Sequence, residues 1–216
     1  MKTLHRPFEP SPDSVSIPSY LRYLRHPFFA WFGLRPILAQ HTLAESEALR
    51  SWACGRKTMV EIGVAEGASA LALREVMDPE GALYLIDPFH LSRFPLLNTM
   101  KRIARMTVNR CRNGRVVWIE KFSFEAVKGW ITPIDFLFLD GDHSEDAVQR
   151  DWQNWHQFVT VGGIAAFHDA RTFAGGWTSS SDGPVKVVDE LFRNGGLSGW
   201  EIVDEIHSLV VVRRYC

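Results

Sequence analysis

The sequence predicts an α/β fold on a mostly parallel sheet, with helices on both faces and an antiparallel hairpin at the C-terminus. Three observations carry this expectation. From Leu43 onward, short apolar runs alternate with segments of helical period, and such alternation gives parallel strands joined by crossover helices. The run Ile134-Asp135-Phe136-Leu137-Phe138-Leu139 is apolar at nearly every position, as a strand buried on both faces must be. The last two runs, Trp200 to Ile206 and Ser208 to Arg213, are separated by a single residue. A parallel crossover needs a dozen or more residues, so one of these two strands must run antiparallel.

Each element has its own signal. Thr42 to Ala53 reads as a helix, with Thr42 as N-cap and Glu45 completing a capping box. Lys57 to Gly63 is a buried strand, followed by a helix over Ala68 to Met77 with Ala68, Leu71, Ala72 and Val76 as its apolar positions. Ala82 to Asp87 is a strand. Leu96 to Cys111 is a helix with Leu97, Met100, Ala104 and Val108 on one face. Arg115 to Ile119 is a strand, Phe122 to Gly129 a short helix, and Ile134 to Asp140 the apolar strand. Ser144 caps a helix running to Val159, with Glu145 and Asp146 favourably placed in its first turn. Gly163 to Phe167 is a strand and Val185 to Asn194 a helix, before the closing hairpin.

Two units follow from this pattern. Residues 42–216 form one domain. Residues 1–41 form an N-terminal arm, which cannot be one long helix because prolines stand at 7, 10, 12, 18, 27 and 36. Phe28, Phe29, Trp31 and Phe32 in the arm need covering, whether by packing on the domain, as a substrate lid or as a homo-oligomer contact. At 216 residues the chain can bury a core without disulfides or structural metal. A net charge of -1 argues against a generic binder of nucleic acid or of an anionic membrane surface. Lys101, Arg102, Arg105, Arg110, Arg112 and Arg115 cluster around one helix and read as a solvated face. Cys54, Cys111 and Cys216 are odd in number and lack paired spacing, against a secreted disulfide framework or a zinc knuckle. No apolar signal region stands at the N-terminus, so a soluble cytoplasmic protein is expected.

The chemistry concentrates at strand ends. Val60-Glu61-Ile62-Gly63-Val64-Ala65-Glu66-Gly67-Ala68-Ser69 follows a strand and opens a helix, the context a nucleotide-type turn requires. In the dinucleotide fingerprint a second glycine lets the backbone approach a pyrophosphate; here that position is Ala65. Glu61 would repel a pyrophosphate and suits a cationic ligand. S-adenosylmethionine carries a sulfonium and an ammonium and no phosphate, so charge favours it over NAD. Asp87 ends the second strand, where an acid can accept ribose hydroxyls. Ser123 follows the third strand, at the side where adenine would lie. The apolar strand ends Asp140-Gly141-Asp142-His143, and the next ends His168-Asp169. Adjacent parallel strands end side by side, so these groups should meet beside the cofactor crevice. Carboxylates with an imidazole suit a divalent cation, Mg²⁺ or Mn²⁺ where oxygen dominates. His143, three residues after Asp140, is a candidate general base, since an imidazole naturally titrates near neutrality.

These motifs together resemble class I S-adenosylmethionine-dependent methyltransferases over Leu43 to Arg214, and more narrowly metal-dependent small-molecule O-methyltransferases of the catechol and macrolide-sugar types. The resemblance implies a Rossmann-like, seven-stranded sheet. It implies that Glu61, Gly63, Ala65, Gly67, Ser69, Asp87, Ser123 and Asp140 border the cofactor, and that His143 stands where the sugar-modifying enzymes carry their base. It also implies metal ligands Asp140, His168 and Asp169 and favours Mg²⁺. His168 departs from the usual acid and leaves a softer metal, or none, open. The stretch Thr172 to Pro184 reads as a substrate loop with Trp177 stacking on the acceptor ring. The expected partner is a small-molecule acceptor. Two other readings compete, a metallohydrolase using Asp140, Asp142, His143, His168 and Asp169, and a non-catalytic S-adenosylmethionine-binding protein. Ala65 and the lack of a paired Tyr/Lys motif weigh against an NAD-dependent oxidoreductase.

Overall fold

The computed structural model describes residues 40–89 and 98–216. All but the last residues of the expected arm, and the start of the helix expected from Leu96, lie outside the described residues. The chain runs α1 (Leu43–Ala53), β1 (Thr58–Ile62), α2 (Ala68–Val76), β2 (Ala82–Ile86), α3 (Thr99–Val108), β3 (Arg115–Ile119), α4 (Ser123–Ala126), β4 (Ile134–Leu139), α5 (Glu145–Trp155), β5 (Val159–Phe167), α6 (Gly183–Val188), β6 (Trp200–Ile206) and β7 (Leu209–Arg214). A 3₁₀ turn, His156–Phe158, joins α5 to β5, and a π-helical stretch, Asp189–Asn194, continues α6.

The seven strands form one sheet in the order β3-β2-β1-β4-β5-β7-β6. β1 to β5 pair in parallel, while β7 is antiparallel to both of its neighbours, β5 and β6. The antiparallel member of the terminal hairpin is therefore β7. Order reverses between β1 and β4, which opens a crevice at their carboxyl ends.

Successive strand residues point to opposite faces, and the core divides accordingly. Met59, Leu83, Leu85, Phe136 and Phe138 pack with Leu49, Leu73, Ala104 and Val108 on one face. Val60, Leu137, Leu139, Phe167 and Val210 pack with Trp152 and Trp155 on the other. Much of the aromatic content is spent there. The Trp152 ring meets His156, Phe167, Phe192 and Trp200 at centroid distances of 4.7–5.4 Å.

Several expectations shift in detail. The capping box at Thr42 and Glu45 is present with both reciprocal bonds. Ser144 stands at its N-cap position but its side chain makes no cap bond; its backbone N–H instead donates to Asp142 at 2.8 Å. The buried side of α2 is Ala70, Ala72 and Leu73, with Ser69 and Arg74. Leu71 and Val76 are only partly buried, so the inner face of α2 is turned by about one residue from the expected one. The strand expected from Gly163 begins at Val159, since its first residues extend beyond the apolar run. Within the basic cluster, Lys101 and Arg105 meet Glu120 at 2.6 and 3.1 Å. The three cysteines are free. Among the described residues no helix is long and apolar enough to cross a membrane.

Candidate active site

Four backbone hydrogen bonds stitch the carboxyl edge of the sheet. Asp87 N–H donates to Ile119 O, Gly63 to Ile86 O, Asp140 to Ile62 O and His168 to Leu139 O, at 2.9–3.2 Å. Each donor is the first residue past its strand and each acceptor is the last residue of the neighbouring strand. Asp87, Gly63, Asp140 and His168, expected at the site from separate motifs, thus stand in one row along the crevice.

The glycine turn is tight for steric reasons. Gly63 has φ +87°, and a Cβ there would lie 2.0 Å from the Asp140 carbonyl oxygen. Gly67 caps α2 with φ +80°. Ala65 occupies the left-handed region at φ 46°, a conformation that costs a non-glycine residue roughly 1–2 kcal/mol. Asp87 supports this strained turn. Its Oδ2 accepts from Val64 N–H at 2.9 Å and Ala65 N–H at 3.2 Å, while Oδ1 accepts from Phe89 N–H at 2.7 Å. A carboxylate offers about four lone-pair sites, so the acid expected to take ribose hydroxyls also organises the turn, spending three of them on bonds among the described residues.

Glu61 lies beneath the turn and is fully buried. The Ser69 hydroxyl donates to its Oε1, while Oε2 has no hydrogen-bond partner among the described residues. Burial, reinforced by the charges of Asp140 and Asp87, pushes its carboxyl well above the ordinary value against the pull of Ser69. A buried acid with an orphaned oxygen is what a cationic ligand would satisfy. Ser123 opens α4 and donates its hydroxyl to Asp151 of α5, whose own carboxyl is raised by burial.

Past β4 and β5 the acids and imidazoles converge. His168 Nδ1 lies 3.1 Å from Asp140 Oδ1 and 3.5 Å from Asp169 Oδ1. His143 Nε2 lies 3.5 Å from Asp140 Oδ1, and its Nδ1 3.4 Å from Asp169 Oδ2. His168 is 2% exposed, whereas the His143 side chain is 42% exposed on the rim. Burial opposes the charged form of His168, but Asp140, Glu45 and Asp169 outweigh it and hold its pKa well above the ordinary value. A hydrogen bond to Asp140 raises His143. Burial alone would raise Asp140, yet His168 and His143 hold it well below the carboxylate range. One donor atom each from Asp140, His143 and His168 lies within 4.8 Å of the others, close enough to hold one metal ion. Asp169, the ligand expected beside His168, sits at φ 52° and accepts the Trp177 indole N–H at 2.7 Å. The loop expected to carry the acceptor contact is therefore tied to the cluster, and Thr178 also donates to Arg171 O at 2.7 Å.

Two neighbours were not legible as site residues. Glu45, visible in the sequence only as a helix-capping acid, is fully buried and faces His168 Nε2 at 3.8 Å. His41 is edge-on to His168, and burial together with that neighbour lowers its pKa to about 4. No local pattern marks either one, because both reach the site from the segment before β1.

Residues 60–170, just over half of the chain, match a family described as a methyltransferase domain. The fold is shared with the O-methyltransferase TomG from Streptomyces achromogenes, involved in tomaymycin synthesis and solved with S-adenosylmethionine (14% identity, TM-score 0.62, 94% of this chain and 92% of that chain covered). It is shared with an O-methyltransferase from Bacillus cereus in complex with S-adenosylhomocysteine (13% identity, TM-score 0.62, 93% and 92% covered). An rRNA methylase from Streptococcus thermophilus is also similar (12% identity, TM-score 0.51, 80% and 95% covered), so the fold alone does not name an acceptor. With its family match, its strand order and a glycine turn at the topological switch, the chain belongs to the class I S-adenosylmethionine-dependent methyltransferases.

Proposed function

We propose that this protein methylates a hydroxyl oxygen of a small molecule, with a divalent cation assisting at the ends of β4 and β5. The observation that carries this reading is the continuous row from Glu61 and Asp87, past Gly63, to Asp140, His168 and the rim imidazole of His143. It sets a crevice suited to a cationic nucleoside against a cluster suited to deprotonating a hydroxyl.

The residues divide the work by their surroundings. Gly63, Ala65 and Gly67 bring backbone close to the cofactor, and the free oxygen of Glu61 faces its positive charge. Asp87 takes the ribose, and Ser123 borders the adenine. S-adenosylmethionine supplies an activated methyl group, and a bound divalent cation lowers the pKa of an acceptor hydroxyl. The donors that would hold such a cation are Asp140 and His168, with His143 on the rim within 4.8 Å of both and Asp169 beside His168 and His143. His143 is the base because it is half-exposed and reaches an acceptor, while His168 is sealed in the core. The proton arrives on an imidazole flanked by Asp140 and Asp169, which stabilise the imidazolium. Alignment of the acceptor oxygen with the methyl carbon supplies most of the remaining acceleration. Trp177, anchored on Asp169 and half-exposed, offers a face to the acceptor ring.

Calorimetry with S-adenosylhomocysteine and with NAD, followed by mass spectrometry of a panel of sugar hydroxyls and catechols, tests this reading. Binding of the nucleoside product and a mass gain at oxygen are expected. NAD binding without S-adenosylhomocysteine binding would overturn the reading, as would transfer confined to nitrogen or to RNA.

A further inference from the structure

We infer that the cation of this site is a first-row transition ion such as Zn²⁺, Fe²⁺ or Co²⁺ rather than Mg²⁺, bound through the His168 imidazole, with Glu45 as the carboxylate that fixes that ring from behind. The inference rests on the metal-assisted reading above and names its cation.

The donor types decide first. Mg²⁺ takes oxygen ligands and keeps several waters, whereas imidazole nitrogen suits Zn²⁺, Fe²⁺ and their neighbours. At this site a nitrogen stands between two carboxylates. His168 Nδ1 lies 3.1 Å from Asp140 Oδ1 and 3.5 Å from Asp169 Oδ1. Two donors bound at about 2.0–2.2 Å to one ion stand roughly 3.0–3.5 Å apart, so the His168–Asp140 spacing suits two ligands of one ion, and the rim His143 lies within 4.8 Å of both.

The second observation is independent and lies on the far side of the ring. His168 Nε2 is buried without a hydrogen-bond partner among the described residues, and it faces Glu45 Oε2 at 3.8 Å. A metal-ligating histidine characteristically gives its other N–H to a carboxylate, which sets the tautomer and aims the free lone pair at the metal. Glu45 is placed to do this from behind the ring. Ser208 N–H and Oγ donate to its Oε1 at 2.8 and 2.6 Å, and Thr42 N–H donates to Oε2 at 2.7 Å. These bonds from the start of α1 and from the β6–β7 turn hold the carboxylate behind the ring. Glu45 is thus a positioning residue, and His168 is the ligand it orients.

The full-length chain is titrated calorimetrically with Mg²⁺, Mn²⁺, Zn²⁺ and Co²⁺ separately, and the Co²⁺ form is examined by visible absorption. Zn²⁺ and Co²⁺ are expected to bind at least tenfold more tightly than Mg²⁺, with Co²⁺ bands showing nitrogen ligation. Glu45→Gln should weaken Zn²⁺ about tenfold to hundredfold and shift the Co²⁺ spectrum, with S-adenosylhomocysteine affinity retained. If that variant fails to fold by circular dichroism, His168→Gln serves in its place and should erase the preference for Zn²⁺ over Mg²⁺. Equal affinity for Mg²⁺ and Zn²⁺ would overturn the inference, as would a folded Glu45→Gln protein that binds Zn²⁺ and Co²⁺ like the wild type. Binding of no cation overturns it too, and S-adenosylhomocysteine binding with transfer in chelator would then show that the methyltransferase reading survives.

Discussion

His143 illustrates how a residue's surroundings set its role. Its two nitrogens face Asp140 and Asp169 at 3.5 and 3.4 Å, and the hydrogen bond to Asp140 raises its pKa. His143→Ala should lower kcat by about 10²–10⁴-fold, the usual worth of a general base, while S-adenosylhomocysteine affinity by calorimetry stays close to wild type. A variant with undiminished turnover would remove His143 from the mechanism. Because a base acts in its neutral form, turnover should rise with pH through an inflection above the ordinary histidine value. Asp169→Asn should move that inflection downward, measurable as kcat between pH 5 and 9. At Glu61, burial raises the carboxyl pKa well above its ordinary value and so favours the neutral form. Glu61→Gln mimics the neutral form, so thermal stability should change little while S-adenosylmethionine affinity falls about tenfold, near the worth of one charged hydrogen bond.

At the scale of elements, turns rather than helices position the chemistry. Gly63 lets β1 and β4 end side by side, because the Asp140 carbonyl fills the space a Cβ would need. Gly63→Ala should push Asp140 out of the row and lose S-adenosylhomocysteine binding by more than tenfold, together with a lower Tm. Unchanged calorimetry would show that the turn relaxes at little cost. The strands and the capping box of α1 were legible because apolar period and capping chemistry are local. The inner face of α2 and the early start of β5 were not, since they depend on which neighbour each element meets. Ser144 shows the same limit. Its residue type suits a cap, but the backbone turn at Asp142 uses its N–H instead.

Across the whole molecule, one face of the sheet carries a dense aromatic cluster around Trp152, which is 2% exposed. Trp152→Ala should cost about 3–5 kcal/mol, and in a domain of this size that lowers Tm by about 10 °C; a loss under 2 °C in a thermal melt would place the core elsewhere. Glu45 links stability to pH. Although burial would raise its pKa, His168, Ser208 and Thr42 lower it from 4.5 to about 2. A depressed acid stabilises fully above its unfolded value and loses that contribution as pH falls from about 4.5 toward 2, on the order of 3 kcal/mol here. Melts at pH 7, 4 and 3 should show this loss in the wild type and a smaller one in Glu45→Gln.

The sequence by itself determined the strand–helix alternation, the closing hairpin, the glycine turn and the acids and imidazoles at the strand ends. Each of these is written in contiguous residues, through side-chain period, turn chemistry and the fact that parallel strands end on one edge. Only the tertiary structure decided that Asp87 braces the turn at Val64 and Ala65, that Trp177 is tied to Asp169, and that Glu45 lies behind His168. Glu45 and His168 are 123 residues apart in the chain. A capping acid reads the same whether its carboxylate faces water or a buried imidazole, so that difference exists only once α1, β5 and the β6–β7 turn have packed together.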